Sequence, residues 1–138
     1  EKNIKLEFIE EADIDFYGDQ NLFKQLLRIF LDNAVKFTSK KGKIKLKIDK
    51  VEADNFYFSI ADDGPGISSV DLPFVFDRFY QADKSRTRKN NQGSGLGLAI
   101  AKQIVDSYTG DIDVESEEGK GTKFIIVLPL NENHKHNN

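Results

Sequence analysis

Strand-like runs in this chain come in adjacent pairs. Lys43 to Ile48 alternates with period two and is followed at once by Phe56 to Ala61; Asp111 to Glu115 is followed by Lys123 to Leu128. Two strands joined by a short turn form a hairpin, because a parallel partner needs a long crossover. Two weaker runs, Lys5 to Ile9 and Asp13 to Tyr17, precede the first pair. Two helical patterns lie between the pairs. The order predicts an α/β fold, a two-layer sandwich of a mixed, mostly antiparallel sheet with helices on one face.

The first helix is the better marked. Asp19 stands where a carboxylate caps free backbone N–H groups, and Leu22, Phe23, Leu26, Leu27, Phe30, Leu31 and Ala34 form a wide apolar stripe ending near Thr38. Gly42 marks the exit. The second helix is expected over Gly95 to Tyr108, with Gly110 in the role of a C′ glycine. Ile67 to Ala82 is mixed, with Pro73 and an aromatic cluster, and Asp83 to Gly93 reads as a basic loop carrying Lys84, Arg86, Arg88 and Lys89. Residues 1–130 are expected to make one domain and 131–138 a polar, disordered tail.

Composition narrows the function classes. Hydrophobic residues make up 38% of 138 residues, enough for one core, and the net charge of −3 gives no global pull toward nucleic acid or an anionic membrane. No apolar run approaches the roughly 20 residues that span a bilayer. Without cysteine there are no disulfides or thiolate metal sites. The chain lacks Met and begins at Glu1, as expected of a piece of a longer protein.

Chemistry is suggested by three glycine clusters: Gly64-Pro65-Gly66, Gly93-Ser94-Gly95-Leu96-Gly97 and Gly119-Lys120-Gly121. The second leads into a helix, whose free N–H groups would suit a phosphate, although a plain structural turn would look the same. A Walker loop is excluded, because Lys120 precedes Gly121 rather than following it. A dinucleotide fingerprint fails at Leu98, and no strand precedes the cluster. On the first helix Asn33 sits near the edge of the apolar stripe. Its carbonyl could meet a hard cation such as Mg²⁺, or bond a neighbouring backbone group. Lys36, almost a turn on, could reach a phosphate. Asp62 ends a strand at a glycine turn; it could accept from an exocyclic amine or simply form the turn. Asp63 beside it is expected to be solvated.

Taken together, the pieces resemble the GHKL superfamily of gyrase, MutL, the large heat-shock chaperone and histidine kinases. The match within it is to histidine kinases. Leu26 to Thr38 resembles the N box, Asp62 to Ile67 the first glycine box, Phe76-Asp77-Arg78-Phe79-Tyr80 the F box, Gly93 to Ile100 the second glycine box, and Gly119 to Thr122 the last. The resemblance implies a Bergerat-type ATP-binding fold that takes ATP with Mg²⁺ and passes its γ-phosphoryl group to a histidine.

By position, Asn33 matches the magnesium asparagine, Lys36 a basic residue near the phosphates, and Phe37 the aromatic that packs on the base. Asp62 matches the aspartate that recognises the adenine amine, with Gly64, Gly66 and Ile67 shaping the pocket and Thr122 at its floor. Gly93, Ser94, Gly95, Leu96, Gly97 and Leu98 match the phosphate-contacting turn, and Arg86 a phosphate-contacting arginine for which Lys84 and Arg88 are close rivals. Residues 83 to 94 would form a lid, and Phe76, Phe79 and Tyr80 would anchor it, dock a partner or pack in the core.

Two departures matter. Ile29 stands where the family often has a polar Asn and its hydrolytic relatives a Glu base, which argues against a freestanding ATPase. His134 and His136 lie in the polar tail, so the acceptor histidine is expected on a missing phosphoacceptor and dimerisation domain. The implied partners are that domain and a response regulator, with no nucleic acid or membrane contact, a monomer in isolation and a cytoplasmic location. A non-catalytic nucleotide-binding module and a serine-phosphorylating anti-sigma kinase are the other readings; the F box argues against the latter.

Overall fold

The computed structural model describes residues 4–10, 20–38, 41–51, 54–78 and 96–129. Its elements are β1 (Lys5–Glu10), α1 (Gln20–Phe37), β2 (Lys43–Val51), β3 (Asn55–Asp62), a 3-10 turn (Leu72–Phe74), α2 (Gly97–Ser107), β4 (Asp111–Glu117) and β5 (Gly121–Pro129). The five strands lie in the order β1-β2-β3-β5-β4. Both expected hairpins form, β2 with β3 and β4 with β5, and β3 pairs antiparallel with β5. β1 runs parallel to β2, with α1 as the crossover between them. The sheet is therefore mixed and mostly antiparallel. The expected strand Asp13 to Tyr17, the Asp19 cap and the tail lie outside the described residues.

Periodicity explains the layers. Leu26, Phe30 and Ala34 recur every four residues on α1 and are buried, as are Ala101, Ile104, Val105 and Tyr108 of α2. The sheet answers with every second residue: Ile44, Phe58, Ile60, Phe124, Ile126 and Leu128 join the same core. The opposite face carries Lys45, Tyr57, Glu115 and Lys123, all exposed. Phe30 contacts Phe124 with ring centroids 5.2 Å apart, and Phe76 contacts the same ring at 6.0 Å. Such a pair contributes about 0.5–1.5 kcal/mol beyond its burial. Of the three aromatic residues expected to anchor a lid, dock a partner or pack in the core, Phe76 packs in the core; Phe79 and Tyr80 lie outside the described residues.

Helix ends differ in detail from expectation. Thr38 leaves α1 with both its N–H and its hydroxyl bonded to Ala34 O. At the end of α2 the left-handed residue is Thr109, at φ 61°, not Gly110. Thr109 N–H donates to Asp106 O at 3.0 Å and Gly110 N–H to Val105 O at 3.0 Å, a complete Schellman motif. Glycine is required one residue later for a steric reason: a Cβ on Gly110 would run into Val127 O of β5.

Candidate functional site

β3 ends at Asp62, which pairs with Thr122 of β5 on the helix-bearing face of the sheet. The local turn follows from the sequence: Asp62 Oδ1 accepts from Gly64 N–H at 2.8 Å, the Asx geometry that favours Asp before Gly. Half-burial raises the Asp62 carboxyl above its ordinary value of 3.8, opposed by the Gly64 N–H, reinforced by the charge of Asp63 and opposed again by the Thr122 N–H. Asp63 is exposed, as expected, and accepts from Lys43 N–H at 3.0 Å. Asp62 is thus a turn former and also a half-buried carboxylate aimed to the helix side.

The turn after Asp62 is held from two directions. On one side Gly64 rests against the last carbonyl of α1, because a Cβ there would collide with Phe37 O. On the other, Gly121 adopts φ 110° and lies against Asp62 O, where no side chain fits. Gly119 N–H donates to Pro65 O at 2.7 Å, and Ile67 N–H donates to Ser116 Oγ at 2.7 Å. Gly66 backs onto Glu117. The first and last glycine clusters are therefore one junction, closed by the end of α1.

Ser116 is the residue that sequence reasoning missed. Its Oγ also lies 2.8 Å from Gly121 O and 2.9 Å from Thr122 Oγ1. The available signal was its register: it follows Ile112 and Val114 at period two, so it is a polar residue on the buried face of β4 and needs partners. A shallow concavity of ≈ 360 Å³ wraps these strand ends, bounded by Asp62, Ser116 and Thr122 and also by Ala61, Glu115 and Lys123 of the opposite face. It follows the end of the sheet and is lined by residues of β3, β4, β5 and the β4–β5 turn.

α1 supplies a row that runs from the start of α2 to the turn after Asp62. Ile29, Asn33 and Phe37 follow one another every four residues, about 12 Å in all. At one end Ile29 packs against the start of α2, its Cγ2 3.6 Å from where a Cβ on Gly97 would stand. At the other, Phe37 is 39% exposed and its carbonyl meets Gly64. Asn33 lies half-buried between them. Lys36 is half-buried on the adjoining face.

The start of α2 has no side-chain cap at Leu96 and no acidic residue in its first turn, so no negative side chain there opposes an anion. Leu98 is half-buried against the core. Gly93, Ser94, Gly95 and Arg86 lie outside the described residues, as do Lys84, Arg88 and Lys89. Among the described residues no group of three or more His, Cys, Asp or Glu could hold a metal ion by itself, and no helix is long and apolar enough to cross a membrane.

Comparison with known proteins fits this geometry. Residues 18–132 match the family described as histidine kinase-, DNA gyrase B-, and HSP90-like ATPase, a description that implies ATP binding. The sensor protein CiaH of Streptococcus pneumoniae is 46% identical over 112 residues, covering 81% of this chain and 25% of CiaH. The mycobacterial sensor histidine kinase MprB is 30% identical with a TM-score of 0.79, covering 91% of this chain and 81% of that one. ShkA, solved full-length in complex with AMPPNP, is 29% identical with a TM-score of 0.79, covering 92% of this chain and 26% of that one. The chain spans 25% of the length of CiaH, so it corresponds to one part of a larger sensor protein. With a match over 18–132 and a structural likeness across most of MprB, the chain belongs to the family of histidine kinase-, DNA gyrase B- and HSP90-like ATPases and corresponds to the catalytic ATPase domain of sensor histidine kinases.

Proposed function

We propose that this chain binds Mg²⁺-ATP and presents its γ-phosphoryl group to a histidine on a separate domain of the same sensor protein. The observation that carries the reading is the order of groups along the cleft. An acceptor pair, Asp62 with Thr122, stands at one end, the acid-free start of α2 at the other, and the amide of Asn33 between. Adenine suits the first and phosphates the second. The AMPPNP complex of ShkA supports a nucleotide ligand for a chain of this shape.

Each residue then has a task. Asp62 accepts from the exocyclic amine, Phe37 covers the base, Gly64 and Gly66 keep the pocket wall at backbone thickness, and Ile67 adds an apolar side chain to it. The turn of Gly93, Ser94, Gly95, Leu96, Gly97 and Leu98 cradles the phosphates, with Lys36 and Arg86 offsetting their charge. The side chain of Asn33 would fit magnesium of the kind that arrives with phosphates, giving it one neutral oxygen. Such an ion would offset negative charge on the phosphates. The transfer breaks the bond from the γ-phosphorus to the ADP oxygen and forms one to the imidazole nitrogen. The nitrogen's proton passes to a base on the acceptor domain, and this chain contributes positioning and charge.

Residues 1–130 form the catalytic domain in this reading, with 131–138 as a tail and 83–94 as a lid. The further partner is a response regulator, in the cytoplasm. Ile29 supplies no base, and its contact with the start of α2 is apolar packing, which disfavours a freestanding hydrolase. The test combines nucleotide binding with phosphotransfer to an added histidine domain. The chain alone should bind ATP and acquire no acid-labile phosphate, and addition of the acceptor domain should produce labelled acceptor. A strong labelled band on this chain alone would overturn the reading.

A further inference from the structure

We infer that Ser116, which touches no nucleotide itself, sets the base specificity of the cleft by fixing the direction of the Thr122 hydroxyl. The inference rests on the ATP reading above and adds a positioning residue to it.

Ser116 has one hydroxyl proton to place among its neighbours. Three polar groups surround Ser116 Oγ: Ile67 N–H at 2.7 Å, Gly121 O at 2.8 Å and Thr122 Oγ1 at 2.9 Å. The amide can only donate and the carbonyl can only accept. Gly121 O brings no hydrogen to its contact, so the single Ser116 proton must lie there. The contact with Thr122 then holds a proton only if Thr122 donates it. Any other assignment leaves two oxygens at 2.8 Å with only lone pairs between them. Thr122 is 8% exposed, so water offers its hydroxyl little alternative.

With its proton committed to Ser116, Thr122 Oγ1 presents lone pairs alone to the cleft. It stands opposite Asp62 on the same face of the sheet, and the Asp62 carboxylate also accepts. The base end therefore offers acceptors without a side-chain donor. Adenine has a two-hydrogen amine at the matching position, whereas hypoxanthine and guanine have a carbonyl. A Thr122 hydroxyl free to turn could donate to that carbonyl. Ser116 is what prevents the turn.

A purely structural Ser116 would behave differently. It joins the wall at Ile67 to the β4–β5 hairpin, so its loss would loosen the pocket for every purine alike. The ratio of two affinities separates the roles. Calorimetry on the 138-residue chain with ADP and IDP, which differ only around position 6 of the base, gives that ratio. Wild type should favour ADP. Ser116→Ala should lower the ADP:IDP preference about tenfold, the scale of one hydrogen bond made or lost. Ser116→Cys keeps the volume with a poor acceptor and should do the same, which guards against a misfolded alanine variant. Ser116→Thr retains the hydroxyl and should retain the preference. A wild-type ratio in both Ser116→Ala and Ser116→Cys overturns the inference and leaves ATP binding intact, as does a wild type that binds ADP and IDP equally. A wild type that binds neither removes the ATP reading and this one with it.

Discussion

Ile29 and Gly97 are in register across the α1–α2 interface, with Ile29 Cγ2 3.6 Å from the position of an added Cβ. That is ordinary van der Waals contact, so the fold has room for a methyl group at residue 97. Gly97 also lacks a positive φ, unlike Gly66, Gly119 and Gly121. Glycine at this position is therefore not demanded by packing or by backbone conformation.

Gly97→Ala should leave the fold intact and raise stability by up to about 1 kcal/mol, because alanine loses less backbone freedom in a helix. If phosphates approach the start of α2 closely, the same change should weaken ATP binding at least tenfold. Thermal melting and calorimetry on one protein sample decide it. An unchanged ATP affinity would move the phosphate site away from Gly97. Gly121→Ala is the contrast: its Cβ would collide with Asp62 O, so it should lose stability first.

Asn33→Ala should remove the magnesium-dependent part of nucleotide affinity and change stability by no more than about 0.5 kcal/mol. The residue is half-buried, midway between the Ile29 contact with α2 and the Phe37 contact with Gly64. ATP titrations with Mg²⁺ and with a chelator measure the difference. A variant that keeps the wild-type response to Mg²⁺ would make Asn33 a structural residue.

Thr109→Gly should stabilise the chain. A β-branched residue at φ 61° is a backbone outlier, and glycine there relieves a cost of about 1 kcal/mol. The melting temperature should rise by about 3 °C. A fall would mean that the Thr109 side chain makes a contact worth more than its backbone strain.

Thr109 also shows where the sequence stops being legible. A helix end with glycine one residue beyond suggests a glycine C′ residue, and nothing local reveals that β5 passes too close to Gly110 for any side chain. Elements that rest on period were readable: the stripe of Leu26, Phe30 and Ala34, and the alternation of Phe124, Ile126 and Leu128. Strand limits were short by one to three residues, because Asp49 to Val51 and Ser116 to Glu117 carry no apolar alternation. The parallel pairing of β1 with β2 depends on a crossover by α1, which no neighbouring residues encode. Asp62 and Thr122 were readable as site candidates from their boxes. Ser116 was readable only as a polar residue at an inward register after Ile112 and Val114; its partners lie on other elements, which that register does not reveal.

Asp62→Asn should separate stability from recognition. The folded carboxyl is raised above 3.8, chiefly by burial, so the native state holds its proton where the unfolded chain has lost it. Stability from this group is then full at acid pH and declines as pH rises through the folded pKa. At pH 7 the ionised carboxylate is a net cost to the ligand-free fold. Asn keeps an oxygen for Gly64 N–H without the charge, so the variant should be at least as stable as wild type at pH 7 and should lose that pH dependence. Binding responds in the opposite sense, because the amine of adenine needs the ionised acceptor. ATP affinity of wild type should fall on acidification, starting at a pH above the range of an ordinary aspartate. In the variant it should be about ten- to hundredfold weaker at pH 7, the scale of a hydrogen bond to a charged group, and insensitive to this titration. The preference for ATP over GTP should shrink, since Asn can turn its NH₂ toward a carbonyl. Denaturation curves and ATP–GTP competition between pH 4 and pH 8, on the order of one point per unit, provide both readings. A folded variant with unchanged selectivity would reduce Asp62 to the turn it makes with Gly64, and the adenine contact would have to be sought at another residue.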